Sequence, residues 1–527
     1  MSETQFAITV LLALLMLAST VAMATRWIPI PYTLLLVIVG VVVSPMHFLP
    51  VVHISPELIL LIFLPALLFE AAWNLELDAL RKNLVPVVIL AVVGVIVSVG
   101  VVGAILHLTV GLRWSAALLF GAMISATDPV SVLALFRRMG LPGRLTAIIE
   151  NESLFNDGTS IAVFQILLGI AMGTTVGPAS ELAALSLRSF LIVSAGGMLV
   201  GAVVGILAST LTAHFDDQLL EITLTTTSAY GVFLVADALH VSPVIAVLFT
   251  GLVIGNYGRS RGMSATTELA VTAFWGYAAF VVNSLVFLLI GLETHITVLA
   301  ENAAPIAWAV AAMLVGRGIA VYGLMPIGAL FGSGVPRRWQ HVLVWGGLRG
   351  SLSIALVLSL PDALAGRQRL VAMVFGTVTF SLLCQGLTLS PLLKLLRLRG
   401  EPPSPEDTQY ELLNGLLLAD TAARVELDEM RRRGLVTDRL YEALKSHLDA
   451  AHPEVAQQLA HIDASRVRMA HLQFRRMQRR LLDVKKARLE ELRREGLLTD
   501  GPYERLTEIV DQEQAGLLHE SDRAADD

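Results

Sequence analysis

Residues 125–129 read Ser125-Ala126-Thr127-Asp128-Pro129, in the middle of an otherwise apolar run from about 115 to 137. Proline lacks an amide proton and frees a carbonyl one turn upstream. A helix with Thr-Asp-Pro at its centre is therefore expected to break there. The freed carbonyls and the Thr127 hydroxyl are hard oxygen ligands of a kind that suits a small cation. A simpler reading is a proline kink in which Asp128 caps the second half-helix. The two readings are compatible, since Asp128 can cap while the loop binds.

Working outward, the run belongs to a series. A lipid-spanning helix needs about 20 mostly apolar residues. Thirteen stretches meet that template, at about 5–23, 28–48, 55–73, 84–107, 115–137, 145–172, 185–213, 218–239, 242–257, 268–292, 303–331, 340–361 and 368–394. The first is expected to be a membrane helix rather than a cleaved leader, because residues 1–5 carry Glu3 and no Lys or Arg. Composition agrees: 55% of the 527 residues are hydrophobic and 16% charged, with a mean hydropathy of +0.69. Residues 1–400 hold 37 charged side chains and residues 401–527 hold 45. The expectation is an all-α membrane protein over 1–395, a linker at 396–407 and a soluble helical tail over 408–527. The net charge of −6 sits mostly in that tail and gives no argument for nucleic acid. A single cysteine, Cys384, excludes a disulfide framework and a Cys-based metal site.

Lys and Arg placement sets the orientation. With the N-terminus outside and the tail in the cytoplasm, inside-facing segments hold 13 of them and outside-facing segments hold four, Arg113, Arg188, Arg367 and Arg369. That bias favours an odd number of spans.

Ionisable groups at membrane depth are functional candidates by default. Besides Asp128, the sixth run contains Glu150-Asn151-Glu152-Ser153-Leu154-Phe155-Asn156-Asp157-Gly158. Glu152, Asn156 and, one step on, Asp157 lie within about a turn of one another. A dozen apolar residues follow Asp157. A carboxylate kept from water holds its bare charge poorly, so a proton or a cation must neutralise it, and both together would overcompensate. That competition is the minimum machinery of cation/proton exchange. The structural alternative is an ion pair between Asp157 and a buried arginine. Two such arginines exist. Arg317 lies in the eleventh run, and Arg349 lies within Trp345-Gly346-Gly347-Leu348-Arg349-Gly350-Ser351, whose three glycines mark a second weak point. Charge stoichiometry pairs Arg317 with Glu152 and leaves Arg349, with Asp128, to balance the ends of broken helices. The two interrupted spans are seven apart and run in opposite directions, as interrupted helices do in inverted-repeat transporters. Asp237, Glu293, Asn256, Asn283, Ser284, Phe274-Trp275 and the group Phe69, Glu70 and Trp73 are less specific. The histidines at 53, 107, 214, 240 and 341 show no ligand spacing.

Four strings in this order, ATDPVSVLALF at 126–136, ENESLFNDG at 150–158, FWGYAAFVVNSLVFLLIGLE at 274–293 and WGGLRGSLSIAL at 345–356, resemble the sodium/proton exchanger branch of the monovalent cation/proton antiporter superfamily. The resemblance covers nearly all of residues 1–395. It implies a transporter and no enzyme: 13 helices in inverted repeats, crossed unwound helices 5 and 12, and a homodimer with a dimerisation domain beside a mobile core. It implies Asp157 as the ion- and proton-binding carboxylate, with oxygens for Na⁺ from Ser153 and Thr127. Asp128 would act through its charge or a water, and Glu152 with Arg317 would form a structural bridge. Members with Asn-Asp at the position of Asn156-Asp157 resemble electroneutral exchangers, so one Na⁺ (or Li⁺ or K⁺) per proton is expected. No cofactor is implied. The setting expected is a bacterial inner membrane, with a role in pH and sodium homeostasis.

In the tail, 401–407 is proline-rich, and residues 434–444 recur as 496–506 around Gly, Thr-Asp and Tyr-Glu. Val467, Ala470, Phe474, Met477, Leu481 and Val484 form an apolar stripe suited to a small bundle, a dimer contact or a lipid surface. Other function classes are a K⁺/H⁺ antiporter, an intramembrane aspartyl hydrolase built on Asp128 and Asp157, and a cation channel. The hydrolase gives the second break no role, and no filter-like repeat supports the channel.

Overall fold

A computed structural model describes residues 3–25, 27, 31–44, 58–173, 179–212, 217–259, 263–294, 296–330 and 334–398, and in the tail 412–413, 415–416, 423–425, 427–428, 430–432, 436–446, 502 and 505–506. Among the described residues there is no strand. The linker at 401–407, the apolar stripe at 467–484, most of the second tail repeat, His53 and His214 lie outside them. Contacts divide the chain into two units, Met1–Gly400 and Glu401–Asp527.

Among the described residues of the first unit, seven helices are long and apolar enough to cross a membrane, by length and composition: Leu84–Val110, Gly143–Ala171, Leu185–Thr212, Gln218–Ala238, Thr266–Glu293, Ala303–Ala329 and Arg367–Leu395. Shorter apolar helices cover Thr9–Ala24, Tyr32–Val43, Ile59–Asn74, Trp114–Ser125 and Pro243–Gly258. A helix satisfies every backbone group within its own segment, which is what an apolar surround demands.

Among the described residues, two of the apolar runs are interrupted by non-helical backbone. The helix Trp114–Ser125 stops, residues 126–129 are non-helical, and a second half-helix runs Val130–Met139. Arg337–Trp345 and Ser351–Leu358 flank a second gap at 346–350. By contrast Gly143–Ala171, which carries the acidic string, is unbroken over 29 residues. Among the described residues, the π-helical stretches Leu58–Phe63, Ile89–Gly94, Ile254–Gly258 and Ser381–Gln385 have no counterpart in the sequence reading.

Small residues and aromatic anchors set the packing. Tyr32–Val43 runs beside Ala265–Glu293, and a methyl group on Gly40 would stand 2.6 Å from the Leu288 carbonyl and 2.8 Å from the Gly291 Cα. Only glycine permits that approach. Phe69 and Trp275 rings meet at 4.4 Å between centroids. Trp275 donates its indole proton to Thr225 at 3.2 Å and Trp73 donates to Thr272 at 3.1 Å. Asn256 accepts from the Leu77 amide and donates to the Leu75 carbonyl, fixing the connector after Asn74. Asp237 is exposed in the last turn of its helix.

Within the second unit, Tyr441 is buried. Its hydroxyl donates to Asp428 at 2.7 Å, the Arg431 guanidinium lies 4.3 Å from the ring centroid, and Arg431 pairs with Asp438 at 3.0 Å.

Candidate functional site

The two helix breaks lie against each other. The Asp128 amide donates to the Leu348 carbonyl at 2.8 Å, joining the first gap to the second. A Cβ on Gly350 would stand 2.5 Å from both Cβ and Oδ2 of Asp128, so glycine is what lets the two loops meet.

A helix cut at its centre exposes unpaired carbonyls at one new end and unpaired amides at the other. Each receives the charge that complements it. Arg349, buried, donates through NH1 to the carbonyls of Ser125 at 2.9 Å and Ala126 at 3.3 Å, the carboxyl end of the first half-helix. Asp128 Oδ1 accepts from the Val130 amide at 2.9 Å, at the amino end of the second half-helix. The capping reading of Asp128 therefore has its hydrogen bond, and Oδ2 stays available to a further partner.

The second break is held from a π-helical stretch. The Arg349 amide donates to Ser381 Oγ at 3.0 Å, Ser381 donates to Gln385 Oε1 at 2.6 Å, and Gln385 Nε2 donates to the Trp345 carbonyl at 3.3 Å. Ser381 and Gln385 thus fasten both sides of the gap. The extra residue of a π turn re-aims side chains that an α-helix would place elsewhere.

The unbroken helix Gly143–Ala171 presents its polar string to the first break. Thr127 Oγ1 and Ser153 Oγ are 2.8 Å apart. Asn156 Nδ2 donates to Thr127 Oγ1 at 2.6 Å and to Glu152 Oε1 at 3.0 Å, while Asn156 Oδ1 accepts from the Thr127 amide at 3.3 Å. A carboxylate only accepts and an amide N–H only donates, so this network fixes which way the Asn156 side chain faces. Glu152 takes a two-pronged grip from Arg317, NH1 to Oε1 at 2.8 Å and NH2 to Oε2 at 3.0 Å. Arg317 Nε donates to the Leu343 carbonyl at 3.2 Å. Planar paired contacts of this kind are the strong form of a charged hydrogen bond.

Asp157 differs from its neighbours. It is half-buried, and its Oδ1 is buried without a hydrogen-bond partner. Asp128, Glu152 and Arg349 are its charged neighbours. Among the described residues no arginine or lysine forms an ion pair with Asp157; Arg317 is held by Glu152, and NH1 of Arg349 is held by carbonyls. A buried carboxylate oxygen without a donor is costly unless something supplies positive charge. Ser153, whose hydroxyl meets that of Thr127, lies one turn before Asp157 on the same helix, and oxygens of this kind suit a monovalent cation or a proton.

Residues 10–395 match the family described as "Sodium/hydrogen exchanger, transmembrane". The chain belongs to the sodium/hydrogen exchanger family. It is a family of transporters rather than enzymes, which sets aside the intramembrane hydrolase, and its members are multi-pass membrane proteins. This exchanger is 48% identical over 374 residues to the Na⁺/H⁺ antiporter ApNhaP of Aphanothece halophytica, covering 71% of each chain. It is 36% identical to the Na⁺/H⁺ antiporter NhaG of Bacillus atrophaeus across 94% of both chains, so that likeness runs into the tail. The solved sodium proton antiporter MjNhaP1 from Methanocaldococcus jannaschii at pH 8 shares its fold, with a TM-score of 0.64 at 21% identity, over 75% of this exchanger and 99% of that chain.

Sequence reasoning missed the supporting residues of this site. Ser381, Gln385 and the carbonyls of Leu343 and Leu348 hold the exchanger's breaks in place. Ser381 and Gln385 are polar residues in an apolar run, which is the one signal that could have found them.

Proposed function

We propose that the chain exchanges one Na⁺ for one H⁺ by alternating access, with Asp157 carrying either the cation or the proton. The observation that carries this reading is the buried, unpartnered Oδ1 of Asp157, one helical turn from Ser153, whose hydroxyl meets Thr127. Relatives named as Na⁺/H⁺ antiporters support sodium as the cation; Li⁺ and K⁺ are further candidates for the same oxygen set. Thr127 and Ser153 supply neutral oxygens, and Asp128 acts through charge or a bridging water. Glu152 and Arg317 form the structural bridge, and Arg349 compensates the carbonyl end of the broken helix.

Electroneutral exchange follows from Asn156. Its amide bridges Glu152 and Thr127 and carries no charge, so one titrating carboxylate serves each cycle. Thirteen spans in inverted repeats, with the broken helices crossed, suit the order of the helices. A homodimer in a bacterial inner membrane, with the N-terminus outside, the tail of 408–527 in the cytoplasm and sodium extrusion for pH homeostasis, completes the proposal.

Asp157→Asn tests it. In everted vesicles or proteoliposomes the variant is expected to lose Na⁺-driven dissipation of a pH gradient while still purifying as folded protein. Retained exchange with normal apparent Na⁺ affinity would refute the assignment.

A further inference from the structure

Several hydroxyls in the apolar helices of this exchanger satisfy themselves locally. A serine or threonine in a helix can give its proton to the carbonyl one turn back. Ser125 donates to Gly121 at 2.7 Å, Thr159 to Phe155 at 3.1 Å, Thr250 to Ala246 at 2.9 Å and Thr377 to Met373 at 2.7 Å. Ser160 does not. It is wholly buried, and its Oγ has no hydrogen-bond partner. A buried hydroxyl left unpaired is costly, and in a native fold it calls for something that pairs with it.

Its position narrows what that something is. The helix Gly143–Ala171 is continuous through this stretch, so side-chain directions follow from 3.6 residues per turn. Ser160 stands three residues after Asp157 and four after Asn156, which makes it the next-turn neighbour of both. Ser153 stands one turn before them. Ser153, Asn156, Asp157 and Ser160 therefore share one side of the helix, within an arc of about 100°. Ser153 and Asn156 meet Thr127 of the first break, so Ser160 continues the face turned to that break, one turn beyond Asp157. Among the described residues of this helix, Asp157 Oδ1 and Ser160 Oγ are the two buried side-chain oxygens without a partner. They lie one turn apart on a single face.

We propose that the Ser160 hydroxyl is a further ligand for the monovalent cation carried by Asp157, on the far side of the carboxylate from Ser153. This rests on the reading of Asp157 as the cation carrier. With a lone pair toward the cation, Ser160 can turn its proton to the Asn156 carbonyl, four residues back. A neutral oxygen strengthens cation binding and adds no charge, so one cation still exchanges for one proton.

The test compares wild type, Ser160→Ala, Ser209→Ala and Asp157→Asn in proteoliposomes, reading the rate of Na⁺-driven pH-gradient dissipation against Na⁺ concentration, with thermal melting in detergent alongside. Ser160→Ala removes the oxygen and little else. Because that oxygen has no partner within the protein, its loss is expected to hold or raise the melting temperature. Ser209, also buried with an unpartnered Oγ, lies on the separate helix Ala179–Thr212 and serves as the comparison. The expected result for Ser160→Ala is an apparent KM for Na⁺ raised about threefold to tenfold, the scale of one lost neutral contact, with maximal rate held. Ser209→Ala is expected to keep the wild-type KM, and Asp157→Asn to be inactive. An unchanged KM in Ser160→Ala, with Asp157→Asn inactive, overturns the Ser160 role alone. A raised KM that comes with a lowered melting temperature, or that Ser209→Ala matches, overturns it in favour of a packing role. Active Asp157→Asn overturns the underlying reading, and the Ser160 role with it.

Discussion

Asn156 shows how one neutral side chain sets the charge of a site. It is fully buried, and its amide protons reach an acceptor on each side, Glu152 and Thr127. Replacing it by aspartate places a second acceptor against the Glu152 carboxylate at hydrogen-bond distance. Asn156→Asp is therefore expected to lower the melting temperature at neutral pH. The deficit should shrink as pH falls, because the introduced carboxyl, once protonated, regains a donor for Glu152. A deficit that grows on acidification would contradict the assigned hydrogen-bond directions. The Glu152–Arg317 pair makes a second prediction at this scale. Side-chain exposures are 1% for Glu152 and 8% for Arg317, so either single change strands a buried charge. Glu152→Gln or Arg317→Gln alone is expected to destabilise by about 3–5 kcal/mol, and the double change by less than the sum of the two. Unfolding of the four proteins in detergent measures the coupling; additive losses would show that the pair is not a unit.

At the scale of elements, the paired breaks depend on Gly350. Gly350→Ala forces a methyl into Asp128, so exchange is expected to fall steeply while the helices remain folded. Gly276→Ala, where a methyl would meet nothing within 4 Å, serves as the comparison and is expected to keep both rate and melting temperature. Circular dichroism with a transport assay separates the two outcomes, and a fully active Gly350→Ala would remove the case for a tight junction. The breaks themselves could be read in advance. Proline at 129 and three glycines in 346–350 weaken a helix by mechanisms that need no tertiary context. The π-helical stretch Ser381–Gln385 could not. Its sequence, Ser-Leu-Leu-Cys-Gln, differs from that of a continuous helix only in its two polar ends. Those ends matter because of what a separate part of the chain, 345–349, places against them.

Across the whole molecule, the helical runs were legible because an apolar solvent leaves a chain few alternatives. Counting buried charges was enough to bring Glu152 and Arg317 together on paper. It also left Arg349 to balance the end of a broken helix, without naming the carbonyls of Ser125 and Ala126 that receive it. The hydrogen-bonded pair Tyr32 and Ser284 was hidden from it: 252 positions separate the partners, and the Gly40–Gly291 approach between their helices is a property of packing. One consequence belongs to the transport cycle as a whole. The proposed one-for-one exchange predicts that its rate in proteoliposomes clamped with valinomycin and K⁺ does not respond to membrane potential. A rate that climbs with imposed voltage would demand a second charge per turnover.

The most direct measurement is proton release on cation binding. Purified protein in weakly buffered detergent solution, at a pH where the site is protonated, is titrated with Na⁺ while a pH dye follows the solution. One proton is expected to leave per Na⁺ bound, apparent Na⁺ affinity should weaken as the starting pH is lowered, and Asp157→Asn should release none. Na⁺ binding without proton release, or release that survives in Asp157→Asn, would contradict the claim that one carboxylate holds either guest in turn.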